Sequence, residues 1–132
     1  MATINRFEDL EVWQMARELA KEIYKLTQQP NFIHEFKLKE QVKGSSGSIM
    51  DNIAEGFGRG SRLEFVQFLS VAKGSADELK SQLYRMSDCN LITEEIFKVN
   101  YEKAYILGAK IFAFMEYLNK TEHKGIKFKD RK

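Results

Sequence analysis

The side chains in this sequence best suited to chemistry are cations. Lys37, Lys39 and Lys43 form one group, Arg59 and Arg62 a second, and Lys120, Lys124, Lys127, Lys129, Arg131 and Lys132 a third. Ammonium and guanidinium groups neutralise phosphates, and a protein that uses several of them binds nucleic acid in a salt-dependent, largely sequence-independent way. The third group is opposed only by Glu122 and Asp130, so residues 120–132 carry a net +4 while residues 1–119 carry −2. The first two groups stand about a helix length apart. One chain therefore offers two modest basic ends and a basic tail in place of a continuous groove, a poor arrangement for reading a DNA sequence. A ring of several copies would multiply every basic element.

Other chemistries lack their parts. A carboxylate-bridged metal site in a helical bundle needs Glu-x-x-His pairs facing inward. Here the two histidines are His34, in a connection, and His123, in the basic tail. Cys89 is a single cysteine with no histidine placed near it by sequence, and it reads as a small buried hydrophobe. The run Gly56-Phe57-Gly58-Arg59-Gly60 follows a helix instead of a strand and lacks a Gly-Lys-Ser/Thr ending, so it reads as helix termination, not as a phosphate loop. No catalytic residue, metal ligand or cofactor is expected, and the chain reads as a protein that is not an enzyme.

A further polar group lies on or beside a helix seam: Asn52 and Glu55, with Ser75 as a candidate partner. Left unpaired in a core, each would cost about 1–3 kcal/mol, so a buried network is expected, read first as fixing helix register and alternatively as a ligand or subunit contact. Arg59 follows Glu55 by four residues and is placed for an i,i+4 pair.

These groups must be positioned by helices. Phe7, Leu10, Trp13, Ala16, Leu19 or Ala20, Ile23 and Leu26 recur every three or four residues and predict a first helix over 7–27, with Glu8, Asp9 and Glu11 at its start. Residues 28–35 form a connection broken at Pro30 and Asn31, with Phe32, Ile33 and Phe36 expected to tuck against the bundle. The second helix, 36–57, has Leu38, Val42, Ser45, Ile49, Asn52 and Gly56 on its seam, a stripe small enough for another helix to approach closely. Ser61 and Glu64 form a capping-box pattern ahead of a third helix, 62–88, whose heptad is Phe65, Leu69, Ala72, Ala76, Leu79, Leu83 and Met86. Asn90 and Thr93 read as C-terminal and N-terminal caps around a short turn. The fourth helix, 94–119, carries Phe97, Tyr101, Ala104, Gly108, Ile111, Met115 and Leu118, with Ile106, Ala113 and Tyr117 on a neighbouring stripe.

Short connections between four helices imply an all-α, antiparallel up-down-up-down four-helix bundle as a single domain over 1–119, followed by a basic, flexible tail over 120–132. The 132 residues, 43% of them hydrophobic, suffice for one core, and the net charge is +2. One cysteine, no apolar stretch near the ~20 residues needed to span a bilayer and no secretory pattern at the N-terminus predict a cytoplasmic protein without a membrane partner. Phe57, Phe65, Phe97, Phe112 and Phe114 are at core or interface spacing, so stacking on nucleobases is not the first expectation for them. The surplus apolar stripe on the fourth helix, with Val66 and Phe68 on the third, predicts a homo-oligomeric interface.

Residues 7–16 (FEDLEVWQMA), 48–59 (SIMDNIAEGFGR), 64–69 (EFVQFL) and 72–79 (AKGSADEL) together resemble a bacterial four-helix-bundle family. It is the family first known from proteins encoded in intervening sequences of large ribosomal RNA genes, and the resemblance covers about residues 7–118. It implies an antiparallel bundle assembled as a ring-like homopentamer without known enzymatic activity. The accessory proteins of diversity-generating retroelements look like distant relatives and engage nucleic acid through a positively charged pentameric barrel. The sequence departs from the family pattern at 43–47 (KGSSG), where a basic pair and small apolar residues are usual, and at Met50, where proline is common. The expected function is a non-enzymatic homo-oligomer that binds structured RNA or other nucleic acid through Lys37, Lys39, Lys43, Arg59, Arg62 and the tail cations. The alternative is a protein-interaction or scaffolding module.

Overall fold

The computed structural model describes residues 3–121, and four α-helices make up most of that length. The start of the first helix differs from the expectation. Phe7–Asp9 form one 3-10 turn, Leu10 is extended at φ −78° and ψ 128°, and α1 then runs Glu11–Thr27. Leu10 is buried in the core, and reaching it takes an extended residue that a continuous helix would not supply. The break is held by Gln14, whose Nε2 donates to the Glu8 carbonyl at 2.8 Å, and by the Phe7 ring, edge-on to Trp13 with centroids 5.1 Å apart.

Along α1 the buried positions are Val12, Ala16, Leu19, Ile23 and Thr27, one apolar stripe at helical spacing. The connection contains a second 3-10 turn, Pro30–Phe32. Phe32 is fully buried as expected, but Ile33 and Phe36 point outward, 62% and 70% exposed. A turn with three residues per revolution sends one side chain in three to a given side, and Phe32 takes the inward place.

Helix α2 spans Phe36–Gly58 and buries Leu38, Val42, Ser45, Ser46, Ile49, Ile53, Gly56 and Phe57. It ends in the turn 59–61, where Gly60 takes φ 83°, a left-handed conformation that glycine adopts without a Cβ penalty. Helix α3, Arg62–Asp88, is capped by Ser61, whose Oγ accepts from the Glu64 N–H at 3.2 Å. All seven residues of its expected heptad are buried.

Asn90, at φ 60°, closes α3 as a Schellman motif. The Leu91 N–H donates to the Met86 carbonyl at 2.9 Å and the Asn90 N–H to the Ser87 carbonyl at 3.0 Å. Cys89 is the residue that leaves this helix end, and it is exposed, not buried as the composition suggested. Thr93 then caps α4, Glu94–Thr121, accepting from the Ile96 N–H at 3.1 Å.

Three cross-connections establish the antiparallel order. Asn31 Nδ2 donates to the Leu91 carbonyl at 2.6 Å, so the first connection lies beside the third. Arg62 Nη1 donates to the Leu118 carbonyl at 3.3 Å, placing the start of α3 at the end of α4. Lys110 and Glu11 pair at 3.6 Å between α4 and the start of α1. The chain is an antiparallel up-down-up-down four-helix bundle in which each helix packs most closely on its sequence neighbours. Where α1 meets α4 the seam is looser and leaves an apolar groove of about 320 Å³ between Met15, Leu19 and Ile106.

All seven residues of the expected α4 stripe face the core, four of them buried and three half-buried. Asn100, Ala104, Leu107, Gly108, Ile111 and Leu118 are buried, whereas Phe97, Tyr101 and Met115 are only half-buried. Phe112, read from its spacing as core or interface, is 49% exposed. Asn100 Oδ1 is buried without a partner, while its Nδ2 bonds back to the Ile96 carbonyl at 3.0 Å.

Candidate functional site

The basic groups expected to meet phosphate are placed at opposite ends of the bundle. Lys37, Lys39 and Lys43 lie in the first two turns of α2, beside the first connection, and Arg59 and Arg62 flank the α2–α3 turn. The 23 residues of α2 put roughly 30 Å between the two groups. Lys37 is exposed, Lys39 Nζ is 5.8 Å from the Phe36 ring centre, and Lys43 pairs with Glu40 at 3.3 Å, 5.9 Å from the Tyr24 ring. At the other end Arg59 pairs with Glu55 at 3.1 Å and lies 4.9 Å over the Phe68 ring. Arg62 faces the last carbonyls of α4, where a cation complements the helix dipole. Lys124, Lys127, Lys129, Arg131 and Lys132 lie outside the described residues.

The expected polar network is built differently. Glu55 is exposed and occupied by Arg59, so it takes no part in a core network. Asn52 is half-buried and donates through Nδ2 to the Ser48 carbonyl at 2.8 Å and the Ser48 hydroxyl at 2.9 Å. The Ser48 hydroxyl meets that of Ser75 at 2.9 Å, so Ser48 is the bridge between Asn52 and Ser75. A second, more buried contact was not legible in the sequence: the Ser45 hydroxyl donates to Gln82 Oε1 at 2.6 Å across α2 and α3. Both are helix-registering contacts between α2 and α3.

Sequence reasoning also missed a charged and aromatic stripe along the α3–α4 surface. Lys73, Asp77, Lys80 and Tyr84 share one face of α3, and Asp77 is bridged by Lys73 at 3.0 Å and Lys80 at 3.3 Å. Against them lie Phe97, Tyr101 and Tyr105 of α4. The four-three-four spacing of Lys73, Asp77, Lys80 and Tyr84 was the signal available.

Burial raises the Asp77 carboxyl, but hydrogen bonds and charge from Lys73 and Lys80 outweigh it and hold the group below its ordinary 3.8. The stabilisation is present above that value and is lost as pH falls through the lower folded value. Asp77→Asn is therefore expected to melt below the wild type at neutral pH, by less than about 1 kcal/mol for so exposed a cluster, and to converge with it in acid. Paired melting curves across the acid range check this.

Among the described residues no set of three or more His, Cys, Asp or Glu side chains converges on a metal position. No helix among them is long and apolar enough to cross a membrane.

Residues 8–113 match the model of the 23S rRNA-intervening sequence protein family. The chain belongs to that family. A solved structure of the same architecture is a protein of unknown function from the S23 ribosomal protein family of Bacteroides thetaiotaomicron, with a TM-score of 0.70 and 23% identity. The alignment covers 80% of this chain and 95% of that one. At that identity the likeness speaks for the bundle alone. No curated protein matches the chain. The family match spans both ends of the bundle, including Arg59 and Arg62, and stops before the basic residues that follow α4.

Proposed function

We propose that this intervening sequence protein is a non-catalytic bundle that assembles with copies of itself, as a homopentamer, and binds structured RNA or other nucleic acid through its basic ends. The observation that carries this reading is the convergence of cations at one end. Arg59 and Arg62 flank the α2–α3 turn at the same end of the bundle as Lys120 in the last turn of α4, and the sequence continues from there into residues 121–132 with their net +3. Such a cluster gains affinity by releasing counterions from phosphate, without reading bases. The family description, which ties these proteins to ribosomal RNA genes, supports RNA as the first ligand to test.

Self-assembly is supported by the outer face of α4, where Val99, Ile106 and Ala113 recur a heptad apart and are exposed. Ile106 also borders the groove over Met15 and Leu19, so the apolar surface continues onto α1. The same face favours the second reading, a scaffold that recruits another polypeptide.

A labelled ribosomal RNA fragment titrated with the full chain is expected to bind with an affinity that falls steeply with salt and is competed by duplex DNA. Neutralising Lys124, Lys127 and Lys129 is expected to flatten the salt dependence, by close to one counterion for each phosphate no longer neutralised. Sedimentation is expected to give a multiple of 15.4 kDa. Absence of RNA binding at low salt, with a protein partner retained at high salt, would replace this reading with the scaffold.

A further inference from the structure

Tyr84 of α3 and Phe97 and Tyr101 of α4 form a cluster of touching rings on the α3–α4 surface, which Lys80 extends to Tyr105 as a ladder. Tyr84 is 4.8 Å from Phe97 and 5.5 Å from Tyr101, centroid to centroid, and Phe97 and Tyr101 are 5.4 Å apart. Lys80 Nζ extends the ladder by bridging Tyr101 at 5.7 Å and Tyr105 at 5.1 Å. On α4 the rings recur every four residues, about one per 6 Å of helix.

The cluster borders the core through Phe97 and Tyr101 and opens outward through Tyr84 and Tyr105. Tyr105 is 58% and Tyr84 51% exposed, while the buried layer beneath them is closed by Ala76, Leu79, Leu83, Ala104 and Leu107. Gly108 of α4 faces Ala76 of α3, where an added Cβ would make only ordinary contact at 3.8 Å. Phe97 and Tyr101 are the half-buried base of the cluster, and Tyr84 and Tyr105 are the rings that present surface to solvent.

We propose that this ladder is a stacking platform for the unpaired bases of single-stranded nucleic acid. It rests on the reading that the chain binds nucleic acid and adds which form it takes. Exposed aromatic faces accept any base, because every base has a π-face. Charge supplies the second half of the match. Lys73 and Lys80 share the single carboxylate of Asp77, so the stripe beside the rings carries a net positive charge. A phosphate arriving with a stacked base can take over one of the two ammoniums while the other keeps Asp77 paired. Duplex is a poor occupant, because the faces of paired bases are already covered by their stacked neighbours.

The test uses the full chain with two labelled RNAs of about 12 nucleotides, an unstructured oligoadenylate and a hairpin duplex, in fluorescence anisotropy. Tyr105→Ala and Tyr84→Ala are each expected to weaken oligoadenylate binding roughly five- to hundred-fold, the range of one lost base stack, and to leave the hairpin unchanged. Tyr105→Phe, which keeps the ring, is expected to bind as the wild type does, and the salt slope is expected to hold in all three variants. Wild-type affinity for oligoadenylate in both alanine variants would overturn the platform while the nucleic-acid reading stands. A wild-type chain that binds neither RNA would overturn both. Equal loss of both RNAs together with a change in assembly mass would assign the ladder to subunit contact and also overturn the proposal.

Discussion

Phe65→Ala is expected to cost about 3–5 kcal/mol, the range for deleting a large aromatic side chain from a packed core. Phe65 is completely buried near the start of α3. Its ring meets Phe57 of α2 edge-on at 5.8 Å and Phe114 of α4 at 5.5 Å, so one side chain ties three helices together. Domains of this kind have a total stability of about 5–15 kcal/mol, and the variant should sit near the edge of unfolding. Urea denaturation followed by far-ultraviolet circular dichroism measures it. Phe112→Ala is the control, since Phe112 is exposed and its loss should stay within about 0.5 kcal/mol. A Phe65→Ala loss no larger than the control's would mean that the three-helix contact contributes nothing.

Gly56→Ala is expected to destabilise by about 1–3 kcal/mol even though alanine is the better helix former. Propensity alone would favour alanine by about 1 kcal/mol. A Cβ at Gly56, however, would come within 2.5 Å of the Phe68 Cβ and 3.0 Å of Phe65 Cδ1. The Phe68 Cβ is fixed by the α3 backbone and cannot rotate away, so α2 and α3 must separate. Gly44 and Gly74 are also helical but have nothing within 4 Å of an added Cβ. Gly44→Ala and Gly74→Ala are expected to raise the melting temperature while Gly56→Ala lowers it. The opposite signs distinguish close helix approach from glycine's general cost in a helix, and a rise in all three would remove the close approach.

The parts of this fold legible in the sequence are those whose cause is local. Ser61, Asn90 and Thr93 end or start helices by bonding within a few residues, and each stands where its residue type predicted. The α3 heptad was legible because α3 packs along its whole length on both α2 and α4. The burial of Leu10 was legible in the apolar spacing, but its extended backbone was not, because nothing in its residue type marks a link between two helical turns. Ile33 and Phe36 differ from expectation for a related reason: an apolar residue in a short connection, or at the first position of a helix, looks the same whether it faces in or out. The Ser48 bridge and the Ser45 to Gln82 bond depend on how α2 is rotated against α3, which spacing along one helix does not specify. The heptad through Phe97 and Tyr101 marked their contact with the core, whereas the exposure of Tyr84 and Tyr105 beside them depends on how α3 and α4 are rotated against each other. The family resemblance was carried by short motifs on three helices, and the matched span of 8–113 includes nearly all of their residues.

Gly60 decides more than the shape of one turn. Only three residues separate α2 from α3, and the turn depends on the φ of 83° at Gly60 to reverse the chain. If that reversal were lost, both helices could continue as one rod from residue 36 to residue 88, roughly 80 Å long. Each half would then pack on the other half from a second molecule, with the same side chains touching but supplied in trans. Such an exchange needs no new interface and little energy once the hinge straightens. The left-handed glycine is thus the element that makes the bundle the property of one molecule, and it sets the difference between a self-contained protomer and one that trades helices with its neighbours.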